Sequence, residues 1–184
     1  ALKDAGCHHF FVATVDEAIL LRKIAGPDAQ IFVLNGIDDR SRDPFLEFGL
    51  SPVLNELAQI ELWSKQARTG KTKLPAAIHF DTGMSRLGLP ESEARELGQD
   101  HERLEGLDIK YLMSHLVSSE QPDSPCNREQ LEKFLEIRQT LPPFPASLAN
   151  SSGIFLGAKY HLDLVRPGVA LYGANPVPGN PNPM

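Results

Sequence analysis

The sequence predicts a parallel α/β fold. Three observations lead there. Short apolar runs recur at Phe10–Ala13, Ile31–Leu34, Pro52–Leu54, Ala76–Phe80, Lys110–Ser114, Ser147–Ala149 and Leu164–Val165. Turn or cap residues bound each run, which suits buried strands better than helices. Amphipathic stretches lie between the runs, and strands alternating with helices imply a parallel sheet with helices on its faces.

The helices follow in order. Thr14-Val15-Asp16-Glu17 has the form of a capping box, with Glu17 reaching back to Thr14. The helix it opens carries Ala18, Leu20, Leu21 and Ile24, and Gly26-Pro27 stops it. Asn55 can cap a second helix with Leu57, Ile60, Trp63 and Ala67 toward one side. Pro90-Glu91-Ser92-Glu93 starts a third with acids in its first turn. Asn127 with Gln130 starts a fourth, carrying Leu131, Phe134, Leu135 and Arg138, and Leu141-Pro142-Pro143 ends it. Ser151–Tyr160 reads as a weak helix because Gly153 and Gly157 lie inside it. Asp38-Asp39-Arg40-Ser41-Arg42-Asp43 reads as a solvated loop.

Composition bounds the partners. The 184 residues suit one domain, whose usual size is roughly 100–200 residues. A net charge of −6 argues against a general nucleic-acid binder, which normally carries a basic face. It leaves room for a local basic pocket around one phosphate. No apolar run reaches the roughly 18 residues of a membrane span. The start, Ala1-Leu2-Lys3-Asp4, reads as the tail of a helix and not as a signal peptide. Two cysteines, Cys7 and Cys126, suit a reducing cytosol. A cytoplasmic protein without nucleic-acid or membrane partners is expected. Asn175–Met184 is rich in Pro, Gly and Asn and reads as a linker or loop leaving a domain of residues 1–174.

In parallel α/β folds the site lies at the carboxyl ends of the strands. The polar residues that directly follow apolar runs are therefore the candidates. They are Asn35-Gly36, Asp81-Thr82-Gly83-Met84-Ser85-Arg86, His115, Asn150-Ser151-Ser152-Gly153 and Arg166-Pro167-Gly168. Chain order puts Arg86, His115, Asn150, Ser151 and Arg166 on successive strand ends. Each also has a plain reading. Asp81-Thr82-Gly83 can be only a turn, His115 a satisfied buried histidine, Asn150-Ser151-Ser152 a helix cap, and Arg166 a surface ion-pair residue. Their joint placement points to a ligand bearing a phosphate. Ser151-Ser152-Gly153 offers hydroxyls and N–H groups to an anion. Gly168 lets a backbone N–H approach a ligand closely. No GxGxxG, P-loop, GxSxG or metal-ligand pattern is present, and His8-His9 reads as structural.

Four stretches then resemble one family. They are His79-Phe80-Asp81-Thr82-Gly83-Met84-Ser85-Arg86-Leu87-Gly88, Met113-Ser114-His115, Ala149-Asn150-Ser151, and Leu164-Val165-Arg166-Pro167-Gly168-Val169-Ala170-Leu171-Tyr172-Gly173. They resemble the bacterial alanine racemases, and the resemblance runs from Ala1 to about Tyr172. It implies an incomplete (β/α)8 TIM barrel holding strands two to eight, since a whole one takes about 250 residues. It implies pyridoxal 5′-phosphate as cofactor, alanine as substrate, a homodimeric parent, and supply of D-alanine for peptidoglycan. Arg166 resembles the arginine that faces the pyridine nitrogen. A guanidinium only donates and stays charged, so the ring nitrogen stays unprotonated and the electron sink is weakened. His115 resembles the residue beside the ring. Arg86 resembles the arginine near the phenolic oxygen and the substrate carboxylate. Ser151, Gly168 and Val169 resemble the phosphate-binding positions, and Asn150 a polar neighbour of the cofactor.

Three departures accompany the resemblance. The family's two proton-transfer groups are a lysine at the end of the first strand, which also holds the cofactor, and a tyrosine from a C-terminal β domain. Neither has a counterpart. Lys3, Lys23, Lys65, Lys71, Lys73, Lys110, Lys133 and Lys159 follow no strand within a matching motif, and Tyr111, Tyr160 and Tyr172 fall in the barrel. Many members carry a carbamylated lysine where this chain has His79. A neutral imidazole cannot supply that negative charge to Arg86. The chain is therefore expected to be an inactive piece of an alanine racemase, ending in a linker toward a C-terminal domain. An open sheet edge is expected to be covered by dimerisation or by a first strand. Alternative readings are another barrel-type racemase or decarboxylase using the same cofactor, or a non-enzymatic barrel that binds it.

Overall fold

The computed structural model of the chain describes residues 1–70 and 72–184. Lys71, one of the lysines surveyed above, lies outside the described residues. The elements run β1 (His9–Val12), α1 (Val15–Ala25), β2 (Gln30–Val33), α2 (Arg42–Glu47), β3 (Ser51–Leu54), α3 (Leu57–Thr69), β4 (Leu74–His79), α4 (Glu91–Gln99), β5 (Leu107–Met113), α5 (Pro125–Gln139) and β6 (Ala146–Ser147). Short 3-10 turns occupy His101–Leu104, Gly153–Leu156, Ala158–Tyr160 and Val169–Tyr172. No described helix is long and apolar enough to cross a membrane.

The chain packs as two compact units, Ala1–Ile78 with Asp100–Lys110, and His79–Gln99 with Tyr111–Met184. In the first, β1 pairs parallel with β2 from His9–Gln30 to Val12–Val33. β2 pairs with β3, and β3 with β4 through Val53–Ala77 and Leu54–Ile78. Leu74 N donates to Gly106 O just before β5 at 3.0 Å. In the second unit Phe80 N donates to Met113 O at 2.8 Å, and β5 pairs parallel with β6 through Leu112–Ala146 and Met113–Ser147. Strand order follows chain order, β1 to β6.

The first unit buries Ile31, Phe32, Val33, Val53, Leu54 and Ile60 around Trp63. The Trp63 ring meets Phe45 edge-on at 5.9 Å, and its Nε1 donates to Pro75 O. The predicted capping box at Thr14 and Glu17 forms. Arg22, near the end of α1, donates to the carbonyls of Gly26, Ala29, Phe48 and Gly49. One fork of donors thereby fixes the loops before β2 and β3.

Several expectations change. Arg42 and Asp43, read as loop, open α2, because Phe45 supplies a buried anchor that a mixed-charge run does not advertise. Asn55 does not cap α3. Glu56 takes that place, and Asn55 Nδ2 instead ties Leu34 O to Val53 O. Helix α5 starts two residues early, with Ser124 at its cap and Pro125 in its first turn. This position suits proline, whose missing N–H has no partner there anyway. The weak helix at 151–160 is two 3-10 turns broken at Gly157, whose φ is +109°. Lys110 sits in the middle of β5, not at its start, and pairs with Asp108 at 2.6 Å. The seventh expected strand shrinks to one parallel bridge, Ser147 with Leu164. Leu162 is left-handed at φ +50° on one side. Pro167 on the other lacks the N–H that a ladder needs.

Candidate active site

Every candidate except Asn35-Gly36 falls in the second unit, on three strand ends and the segment beside β6. Each has a local cause. His79 is the last residue of β4. Beyond it the chain leaves and returns, because Asp81 N donates to Leu89 O and Leu89 N to His79 O. Asp81 Oδ1 accepts from the N–H groups of Gly83, Met84 and Ser85 at 2.9–3.0 Å. The plain reading of Asp81 as a turn residue therefore holds. Gly88 closes the loop at φ +106°, where a Cβ would lie 2.7 Å from Asp81 N. Only glycine permits that crossing. The loop presents Arg86 at an exposed position.

His115 follows β5 by two residues, and Asn150 follows β6 by three. Asn150 Oδ1 accepts from Gly153 N at 2.9 Å and from Ser119 Oγ at 2.8 Å. Its amide is thereby oriented, with Nδ2 toward His115 Nε2 at 3.4 Å and Leu116 O at 3.3 Å. His115 Nε2 accepts, so its proton sits on Nδ1. Asn150 thus caps the next turn and also sets the tautomer of His115.

Arg166 is held beside β6, where Arg166 N donates to Ala149 O. Its guanidinium donates to Ser147 Oγ, to Ser114 O at 2.6 Å and to Leu148 O at 3.5 Å. It is not a surface ion-pair residue. Ser147 in turn donates to Leu164 O. Ser151 Oγ accepts from Gly168 N at 2.8 Å and Ala170 N at 3.3 Å. Val169 opens the following 3-10 turn with an exposed side chain. Two groupings result: Ser151 with Gly168, and His115 with Asn150.

The charges in this unit are one-sided. Burial and the nearby Arg166 and His115 push His79 down to about 3. Burial, Arg166 and Arg86 push His115 down to about 4. Burial lowers Arg166 to about 10, so it stays charged at neutral pH. Burial raises the Asp81 carboxyl, but the N–H groups of Ser85, Gly83 and Met84 outweigh it and hold Asp81 below its usual value. The site therefore holds two cationic arginines and two neutral imidazoles, an environment that favours an anionic ligand.

Ser147, Ser119 and Gln130 were absent from the sequence-derived candidates, and Thr82 and Ser114 entered only inside longer stretches, yet these side chains hold the site together. A serine in an apolar run, as at 114 and 147, was the available signal. A buried hydroxyl needs a partner, and these point to one.

Residues 1–176 match the family model for the alanine racemase N-terminal domain. The alanine racemase of Rickettsia conorii (strain ATCC VR-613 / Malish 7) is 49% identical over 181 residues, covering 98% of this chain and 51% of that protein. The catabolic alanine racemase of Mesorhizobium japonicum is 50% identical over 184 residues, covering 100% of this chain and 48% of that protein. The chain spans about half the length of the curated relatives it matches. Among solved structures, alanine racemase from Bartonella henselae, with covalently bound pyridoxal phosphate, aligns at a TM-score of 0.95 and 39% identity, covering 100% of this chain and 53% of that one. Biosynthetic alanine racemase from Pseudomonas aeruginosa aligns at 0.82 and 28% identity, covering 94% and 48%. The expected incomplete (β/α)8 barrel agrees with these neighbours and with the parallel strand order. On the family match and the strand-end motifs together, the chain belongs to the alanine racemase N-terminal domain family.

Proposed function

We propose that this chain is the cofactor-binding part of an alanine racemase that uses pyridoxal 5′-phosphate to interconvert L- and D-alanine. The observation that carries the reading is the donor set of the second unit. The N–H groups of Gly168 and Ala170 donate to Ser151 Oγ at 2.8 and 3.3 Å, which leaves the hydroxyl proton of Ser151 to donate to an anion such as a phosphate monoester. A Cβ built on Gly168 meets no atom within 4 Å, so space remains beside that N–H. The donor chemistry fits the cofactor.

Ser151, Gly168 and Val169 would hold its phosphate. Arg166, locked by Ser114 and Ser147, would donate to its ring nitrogen without giving up a proton. His115, neutral with Nδ1 protonated, would flank the ring, and Asn150 keeps that tautomer in place. Arg86 would take the substrate carboxylate. The bound cofactor supplies the electron sink that acidifies the Cα–H of the amino acid. His79 lends Arg86 no negative charge, so Arg86 stays a free cation for the carboxylate. Racemisation needs an acid/base group on each face of the substrate. The lysines of the second unit are engaged elsewhere, Lys133 with Glu91 and Lys159 over the Tyr160 ring. The 184 residues alone are therefore expected not to racemise alanine. In this reading the enzyme is a cytoplasmic homodimer that supplies D-alanine for peptidoglycan.

The test is exchange at Cα. The enzyme carrying this chain, loaded with pyridoxal phosphate in D2O, is expected to wash deuterium into both enantiomers of alanine. Replacing Ser151 with alanine removes the acceptor for two N–H groups and a donor to phosphate. Cofactor affinity is expected to fall about 10-fold or more, the equivalent of one hydrogen bond. Absence of exchange in the loaded enzyme would refute the reading.

A further inference from the structure

Gln130 lies on α5, outside every motif above, and is 2% exposed. As a sequence feature it belongs to a helix start at Asn127. The structure turns it inward instead. Its Nε2 donates to His115 O at 2.9 Å and to Thr82 Oγ1 at 3.3 Å. Its Oε1 accepts from Val117 N at 2.9 Å. One amide thus uses both donors and an acceptor on two different strand ends, after β4 and after β5. Thr82 Oγ1 continues the chain to Ser114 Oγ at 2.7 Å, and Ser114 O is the acceptor of Arg166.

We infer that Gln130 is a positioning residue of the site, a clamp that sets the loop carrying Arg86 against the segment carrying His115. The argument is geometric. A helix face normally packs on a sheet through apolar side chains, which carry no directional information. A fully hydrogen-bonded buried amide carries three directions at once and is costly to leave half-paired. Neighbouring residues agree with a fixed spacing. A Cβ on Gly83 would meet Gln130 Cγ at 3.6 Å, so the loop rests directly on this side chain. Gln130 touches neither the phosphate donors nor Arg166 itself, and acts through Thr82, His115 and Val117. The inference rests on and deepens the proposed function, and its spectroscopic test needs no cofactor.

In the unmutated chain, the two Nε2 protons of Gln130 are expected to exchange slowly with solvent and to show NMR contacts to Thr82 and His115. Solvent exchange as fast as that of an exposed glutamine, without those contacts, would overturn the clamp. Gln130→Met keeps the size and removes all three bonds. Its His115 imidazole is expected to titrate at higher pH than in the parent, and the Gly83–Ser85 amides to exchange at least tenfold faster. Gln130→Glu keeps the acceptor for Val117 N and removes the donors. It is expected to preserve protection at Val117 while losing it at Gly83–Ser85, an asymmetry that a purely space-filling residue does not produce. In the enzyme carrying this chain, Gln130→Met is expected to lower kcat about 10-fold or more, as a displaced group does. An unchanged His115 titration, equal exchange of the Val117 amide in both variants, or an unchanged kcat would each overturn the positioning role. Because the spectra are taken without cofactor, their failure would leave the racemase reading standing.

Discussion

Replacing Arg166 with leucine is expected to cost about 3 kcal/mol of stability, since an unpaired buried polar group costs roughly 1–3 kcal/mol. The variant leaves Ser114 O, Leu148 O and Ser147 Oγ without their donor. Ser114, Ser147 and Leu148 are each at most 1% exposed, so water does not replace it. The same change is expected to raise the titrations of His79 and His115 from about 3 and about 4, because Arg166 lies second only to burial in holding both down. Denaturant unfolding reads the first effect and histidine NMR the second. In the enzyme carrying this chain, kcat is expected to drop about 10²–10³-fold, the usual loss for one preorganised donor. Arg166→Lys keeps the charge but cannot span the same acceptors, so it is expected to restore the histidine titrations more than the stability. Normal stability together with unshifted histidines would contradict the account.

The second large effect is acid sensitivity above the carboxylate range. His79 and His115 are neutral in the fold, at about 3 and about 4, against an unfolded value of 6.5. Between 6.5 and those values the unfolded chain binds protons that the folded chain refuses. Stability therefore falls as pH falls through 6.5, and the loss ends once pH passes below the folded values. Each histidine is expected to contribute about 2 kcal/mol of destabilisation between pH 7 and 5. Asp81 acts lower down, since its contribution is lost only as pH falls below 3.8. Urea titrations at several pH values check this. His79→Asn is expected to remove about half of the slope between pH 6.5 and 5. A flat profile across that window would show that the imidazoles are not held neutral.

The parts of this structure that a sequence can display are the ones with local causes. The apolar runs that became β1 to β5, the Thr14–Glu17 box and the Gly26 stop all depend on near neighbours. The Asp81–Gly88 loop was recognisable because its residues bond mainly to one another. The misreadings depend on distant contacts. Phe45 turns a charged run into a helix by entering the core around Trp63. Asn55 leaves a cap position to tie two strand ends. Leu162 and Pro167 cut a seventh strand to one bridge, which still suffices to deliver Arg166 to Ser147. The division into two compact units runs through β4 and β5 and has no marker in composition. Arg166, His115, Asn150, Ser151 and Gly168 were found as polar residues after apolar runs. Gln130 and the serines that hold them were not, because a glutamine on a helix looks the same whether it faces water or two strand ends.

In the function proposed above, the second unit binds a phosphorylated cofactor through Ser151, Gly168 and Val169. The most direct measurement is a map of backbone amide shifts as this chain is titrated with pyridoxal phosphate and, separately, with pyridoxal lacking the phosphate. The account predicts that Ser151, Gly168, Val169 and Ala170 move most with the phosphorylated form and little with the other. Equal maps for the two ligands, or largest shifts away from these four residues, would contradict it.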